Sequence, residues 1–276
     1  MYNGAMDEIS LRKALEPLAL GGLRLFKSLG STNDEAIAWA EAGCPDFSLV
    51  TADEQTQGRG RFDRKWVSRA GAALAFSLIL LPSPREKELL PLFAPLCGVA
   101  IQEVLHNQYG LNTEIKWPND ILLHRKKCAG ILVESIWTGE MLRAIILGVG
   151  INVRAESVPP LSDQMFPATA LESETGRSID RDELLAALLH SIRAWRSELG
   201  SRQFFQTWQS HLAFIGEEVA IVQSPKSSII GVVQGIDRQG RLILKQAGNQ
   251  EVKVDVGDVH LRSTGGTVEK ENDHAG

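Results

Sequence analysis

Residues 58–66 read GRGRFDRKW. Four cations, Arg59, Arg61, Arg64 and Lys65, fall within seven residues. Gly58 and Gly60 are interleaved with them, and Trp66 closes the run. Glycine lets backbone N–H groups turn toward a ligand and leaves room for its close approach. Arginine supplies planar, always-charged forks that match carboxylate or phosphate oxygens. Tryptophan offers a flat face on which a base can stack. Together these residues describe a flexible loop that closes over something anionic and partly aromatic, and a nucleotide meets both terms. A solvated basic loop is the plainer alternative; the Gly-Arg alternation and the terminal Trp weigh against it.

Other residues point the same way. Lys116 to Asp120 reads KWPND and ends a strand in a turn. Asn and Asp are ordinary turn formers. The functional reading is that Asn119 contacts a nucleotide while Asp120 helps hold a magnesium ion, which prefers carboxylate, water and phosphate oxygens. Lys127 is placed at a hairpin turn, where most lysines are merely solvated. The small residues Ala129 and Gly130 that follow would let a ligand lie within its reach. Residues 148–153, GVGINV, form a strand with two glycines. Glycine weakens a strand interior unless something must approach closely. Asn152 is polar between Ile151 and Val153 and needs a partner.

These groups need elements to position them. A short helix is expected over 8–19 and a strand over 23–27. A helix follows from about 31 to 42, with Thr32 and Glu35 matching a capping box. Strands are expected at 47–52 and 73–81, on either side of the basic loop. A long amphipathic helix over 88–108 closes at Gly110. Strand-like runs then recur at 113–117, 121–124, 129–137 and 142–153, separated by tight turns. Residues 154–180 read as a long connection, and 181–199 and 203–212 as helices. After Gly216 five short strand-like runs, within 218–262, suggest a small SH3-like barrel. The fold class is therefore α+β: a mixed sheet with flanking helices, not regular βαβ alternation, followed by a small β-barrel. The expected domains are 1–214 and 215–263, with a disordered tail over 264–276.

Composition narrows the classes. The chain has 276 residues, 43% hydrophobic and 23% charged, which is ordinary for a soluble globular protein. A net charge of -5 argues against a general nucleic-acid binder, though not against one local basic patch. No basic start followed by an apolar run marks a secretory signal, and no apolar stretch approaches the ~20 residues of a membrane helix. A cytoplasmic protein is expected. Three scattered cysteines give neither a disulfide framework nor a CxxC pair. The six histidines show no HExxH pairing, so a protein-built transition-metal site is not expected.

With these residues in place the chain resembles the biotin–protein ligases of the bacterial biotin-operon repressor family. The matching segments are STND at 31, ADEQTQGRGRFDRKW at 52–66, KWPND at 116, KKCAGILVE at 126, GVGINV at 148 and GDVHLRS at 257. Any one alone is weak; their combination in this order is specific. The resemblance covers about 23–263. It implies that Ser31, Thr32 and Asn33 bind the ureido head of biotin, alongside Gln55, Gly58, Arg59, Gly60 and Arg61, with Gly130 and Gly148 lining the same subsite. Lys127 would contact the biotin carboxylate and the developing phosphoryl charge, as the main catalytic group together with Arg61. Arg61, Arg64, Trp66, Asn119, Asp120, Lys127 and Asn152 would form the ATP side, with Mg2+ near Asp120. Cys128 departs from a position more often apolar, a tolerable change because free Cys packs as a small hydrophobe. Only about twenty-two residues precede the first catalytic strand, against the roughly sixty of a winged helix, so DNA binding is not expected.

The implied reaction activates a carboxylate with ATP as biotinyl-5′-AMP and passes the acyl group to a lysine of a biotin carboxyl carrier protein. No enzyme nucleophile is required, consistent with the lack of an evident Ser-His or Cys-His arrangement. A lipoate ligase or octanoyltransferase of related fold is the rival within the class. A non-catalytic RNA- or nucleotide-binding module is the rival outside it. Both a monomer and a homodimer remain open, and no membrane partner is expected.

Overall fold

The structure is a computed structural model and describes residues 6, 8–62, 64–66, 68–160, 166–224, 227–255 and 257–261. The tail expected at 264–276 lies outside the described residues. Helix α1 (Glu8–Leu15) buries Leu11 and Leu15 and leads into β1 (Gly22–Phe26). Helix α2 (Thr32–Glu41), β2 (Ser48–Ala52) and β3 (Ala73–Leu80) follow. Helices α3 (Pro84–Glu88) and α4 (Phe93–Tyr109) precede four strands, β4 (Thr113–Lys116), β5 (Asp120–Leu123), β6 (Lys126–Thr138) and β7 (Met141–Asn152). Helices α5 (Leu171–Thr175), α6 (Arg181–Ser197) and α7 (Arg202–Ser210) complete this part.

The seven strands form one mixed sheet in the order β1-β2-β3-β7-β6-β5-β4. Only β1 and β2 run parallel. Side chains alternate between sheet faces with period two, and the register sorts them. Leu74, Phe76, Leu78 and Leu80 of β3, with Leu147, Val149 and Ile151 of β7, enter the large core. Helices α4 and α6 supply that core's other side, through Leu96, Ile101, Leu185 and Leu189 among others. The opposite face is covered in part by α2, over a smaller cluster of Ala36, Val50, Ile79 and Ile146. Because both faces are covered, β2 and β3 are buried at every position rather than at alternate ones.

After α7 come β8 (Glu218–Ser224), β9 (Ser227–Ile236), β10 (Leu242–Lys245), β11 (Glu251–Val254) and β12 (Asp258–Leu261). They form a five-stranded antiparallel sheet in the order β11-β10-β9-β8-β12. Its inward residues Val219, Ile221, Val233 and Leu244 join the main core, and Trp117 Nε1 donates to the Gly240 carbonyl at 2.9 Å.

Three local expectations are corrected. The helix expected over 88–108 is two helices. Ser83 caps α3 with a full capping box, and a 3-10 turn over Leu90–Leu92 intervenes before α4. Pro91 explains the break, since it lacks an N–H and disfavours helix in the residue before it. The N-cap of α2 is Ser31, whose hydroxyl accepts from Asp34 N at 3.4 Å. Glu35 does not close a box with Thr32; it pairs with Arg24 at 2.6 Å. Finally, the β5–β6 hairpin turns at His124 and Arg125, both at positive φ (49° and 60°), so Lys127 lies inside β6 rather than in the turn.

Candidate active site

The floor of the site is the sheet face opposite the large core, where β3, β7, β6 and β5 lie side by side. Directly paired residues on antiparallel strands project to one face. One row across the sheet is Ser77, Gly148 and Leu132; the next is Ala75, Gly150, Gly130 and Asp120. The second row is thus three small residues and a carboxylate, which leaves a trough. The two β7 glycines have different occupants. A methyl at Gly148 would overlap the Asn33 carboxamide, and one at Gly150 would overlap the Trp66 indole. The close approach that the glycines require is therefore made first by the protein's own side chains.

The start of α2 forms one wall. Gln55 Oε1 accepts from Thr32 N at 2.7 Å and lies 3.0 Å from Thr32 Oγ1. Ser77 Oγ lies 2.8 Å from Thr32 Oγ1 and donates to Asn33 Oδ1 at 2.5 Å. The Asn33 amide donates to Glu134 Oε2 at 2.7 Å and faces the Leu132 carbonyl at 3.4 Å. Both ends of the Asn33 side chain are engaged inside the protein, so it fastens α2 to β3 and β6. Ser31, Thr32 and Asn33 are all buried.

Opposite stands a charged group. β6 carries a bulge: Ile121 pairs with Ala129 and Leu122 with Lys127, leaving Cys128 as the extra residue. The Lys127 ammonium lies 2.5 Å from Asp120 Oδ1, 3.1 Å from the place a Gly130 methyl would take, and 5.9 Å from the Trp66 ring centre. Lys116, 5% exposed, reaches Asp120 Oδ2 at 3.3 Å and lies 4.8 Å from the Phe166 ring centre. Burial pushes the Asp120 carboxyl up, but the charges of Lys127 and Lys116 outweigh it and hold it below the usual carboxylate range. Without a ligand each Asp120 oxygen faces an ammonium, Oδ1 that of Lys127 and Oδ2 that of Lys116. Among the described residues no group of three or more His, Cys, Asp or Glu could hold a metal ion.

The basic loop forms the lid. Its neck is held by backbone bonds from Trp66 N to Gly58 O (2.9 Å) and Gly60 N to Arg64 O (2.7 Å). Arg61 Nη1 donates to Asn119 Oδ1 at 3.3 Å and lies 3.5 Å from the Gly257 carbonyl of the second sheet. The indole of Trp66 lies over Gly150 and Gly130, its Nε1 buried without a hydrogen-bond partner among the described residues. Asn152 donates to the Thr169 carbonyl at 3.1 Å. Lys127 exchanges backbone bonds with Pro167 and Thr169. The connection after β7 is thereby stitched beside the lysine.

These walls enclose a cavity of about 390 Å³. Ser31, Thr32, Asn33 and Gln55 line one end; Arg59, Gly60, Arg61, Arg64 and Trp66 line the lid; Asn119, Asp120, Lys127, Gly130, Gly148 and Asn152 line the floor and far end. Of the residues expected at the site, Gly58 alone is not on the wall. It sits behind Trp66, whose backbone oxygen a methyl there would strike. Lys65, Lys116, Gly150 and Phe166 also line the cavity; the first three stand in motifs read from the sequence but carry no expected site role of their own. Period-two alternation from Gly148 gives Gly150 and Asn152 on one face. No local pattern marks Phe166, which reaches the site only through the path of the chain.

Fold and site together define a class: a mixed-sheet domain whose cavity lies between the start of a helix and a basic glycine-rich lid, with a lysine inside. Comparison with known proteins agrees. Residues 25–152 match the Biotin/lipoate A/B protein ligase family, and residues 214–262 match the Biotin protein ligase C terminal domain. The chain is 31% identical over 270 residues to the biotin–[acetyl-CoA-carboxylase] ligase of Mycobacterium tuberculosis, covering 93% of this chain and 96% of that one. It is 32% identical over 247 residues to the bifunctional ligase/repressor BirA of Bacillus spizizenii, covering 88% of this chain and 75% of that protein. The biotin protein ligase of Aquifex aeolicus, solved in complex with biotin and ATP, superposes with a TM-score of 0.74 at 28% identity, over 87% of this chain and 98% of its own. The chain belongs to the biotin/lipoate A/B protein ligase family.

Proposed function

We propose that the protein is an ATP-dependent biotin–protein ligase that makes biotinyl-5′-AMP and transfers biotin to a lysine of a biotin carboxyl carrier protein. The observation that carries this reading is one cavity joining the polar wall of Ser31, Thr32 and Gln55 to Lys127 and the basic lid. A carboxylate is a poor acyl donor because its leaving group is oxide. In the first step a biotin carboxylate oxygen attacks the α-phosphorus of ATP, and pyrophosphate leaves with its bonding electrons. In the second a neutral lysine amine attacks the anhydride carbonyl, AMP leaves, and the amine loses a proton to give an amide.

The protein's part is orientation and charge stabilisation. Ser31, Thr32 and Gln55 hold the ureido ring, whose polarity their side chains match better than they would a plain acyl chain. Lys127 opposes charge building on the α-phosphoryl oxygens, drawn from Asp120 toward the ligand. Arg61, Arg64, Trp66, Asn119 and Asn152 hold the nucleotide, and the orphan Trp66 N–H awaits an acceptor that a ligand oxygen would supply. Magnesium would come with the nucleotide's phosphates, and Asp120, whose Oδ1 is released as Lys127 turns to the ligand, would be the carboxylate nearest to it. Cys128 is no nucleophile: burial pushes its thiol up to about 12, so it stays protonated.

The biotin in the relatives' names supports biotin over lipoate. The division at about 214/215 is proposed as a catalytic domain followed by an SH3-like barrel, and the five-stranded antiparallel order supports it. The net charge of -5 supports a function without DNA binding. No described helix is long and apolar enough to cross a membrane. The test is pyrophosphate release with ATP and biotin, followed by transfer to a carrier domain. Release with lipoate but not biotin would assign the rival ligase. No release, with salt-dependent RNA affinity instead, would assign a binding module.

A further inference from the structure

We propose that Glu134 is a positioning residue that latches the neck of the basic loop to the sheet and to α2, and so governs how long the activated intermediate is kept. The inference rests on the ligase reading for its kinetic consequence. Its structural part stands alone. Glu134 lies on β6 two residues beyond Leu132, on the cavity side of the sheet. Its carboxylate meets the Arg59 guanidinium fork to fork, with Nη1 to Oε1 at 3.0 Å and Nη2 to Oε2 at 2.9 Å. The same Nη2 reaches Asp34 Oδ1 at 2.5 Å, and Glu134 Oε2 also accepts from the Asn33 amide at 2.7 Å.

Two carboxylates thus surround one guanidinium. Both Nη atoms of Arg59 are taken up by acids of the protein, which draws its charge away from a substrate carboxylate or phosphate. Its work is mechanical. Bidentate arginine–carboxylate pairs fix orientation as well as distance. Arg59 directly follows Gly58, whose carbonyl holds Trp66 N, and Arg59 bridges to Lys65 across the neck. Fastening Arg59 therefore fastens both strands of the neck, and with them Trp66. The lid divides into an anchored neck and a tip that carries Arg61. Glu134 also holds Asn33, so neck and ureido wall are positioned by one carboxylate.

The test uses Glu134→Ala and the near-isosteric Glu134→Gln in the full chain. Amide hydrogen exchange without any substrate should show segment 58–66 losing protection in both variants, while the melting temperature stays within about 2 °C, because partly exposed ion pairs contribute little to global stability. Biotinyl-AMP should dissociate about tenfold faster, the factor carried by one lost charge-assisted hydrogen bond. The single-turnover adenylation rate at saturating biotin should change by no more than about twofold. Arg59→Ala combined with Glu134→Ala should release the adenylate no faster than the worse single variant, because both break one latch. Unchanged exchange in 58–66, or additive effects in the double variant, would overturn the proposal. A wild-type protein that makes no adenylate would refute the ligase reading, and the exchange measurement would still decide the latch.

Discussion

Lys127 is held in waiting. Its ammonium rests on Asp120, inside a strand, with a bulge aiming it at the trough. If its charge matters most when the α-phosphoryl group is most negative, Lys127→Ala should lower adenylation by about a hundredfold or more while biotin still binds measurably. Pyrophosphate release against biotin binding by calorimetry separates the two; near-normal release would move the role to Lys126 or Lys116. Gly150 makes a second residue-scale prediction. Gly150→Ala should expel the Trp66 indole from the trough, since the two cannot share the space. The lid should then protect bound adenylate less, read as faster dissociation in a filter assay. The sequence shows which residue types gather here but not which contacts they make. Asn33 is legible as a polar residue in a motif. That Gly148 exists to admit it, and that Ser77 and Glu134 take up its amide, depends on strand register, which no local spacing reveals.

The element that covers the site is the lid. Arg61 bonds to Asn119 on the turn before β5 and approaches Gly257 of the second sheet. Arg61→Gly should therefore loosen the tip while leaving the neck latched, and speed adenylate loss more than it slows adenylate synthesis. Released anhydride would then acylate lysines of an unrelated protein, detected by blotting for biotin. Labelling no greater than that of the unmutated enzyme, with synthesis intact, would remove Arg61 from the enclosure. Elements with a strong local signal were readable: β3, β7, the Gly110 stop of α4 and the five short strands after Gly216 stand close to where alternation and turn residues put them. The misplacements have local causes. Pro91 divides a helix whose apolar pattern runs through it. Ser31 caps α2 one residue before the best-looking box. The hairpin at His124 and Arg125 uses positive φ without glycine or asparagine, so Lys127 looked like a turn residue.

At the scale of the whole molecule the two sheets share one core, and their junction has a titratable group. His211 follows α7, its carbonyl accepting from Ile115 N on β4 while Ala213 N returns to the Ile115 carbonyl. Burial first, and the neighbouring His106 second, hold the His211 imidazole below its ordinary value of 6.5. A base with a depressed folded pKa is neutral in both states at higher pH. As pH falls through about 6.5 the unfolded chain binds the proton first, so stability is lost. The depressed carboxyls have the same sign in a lower window. Burial pushes Asp120, Glu86 and Asp237 up, but the two lysines, Arg196 with the Ser83 cap, and Arg241 respectively win and hold them down. Their stabilisation is present above about pH 4 and lost as pH falls below it. Asp182 runs opposite: burial and Asp180 raise its carboxyl, so acid relieves it and offsets part of that loss. The melting temperature should therefore be level down to about pH 7, decline gently toward pH 5, and fall steeply below pH 4. His211→Gln should remove the gentle decline and leave the steep one. A decline of the same slope in that variant would place the titrating group elsewhere and free the junction of this role.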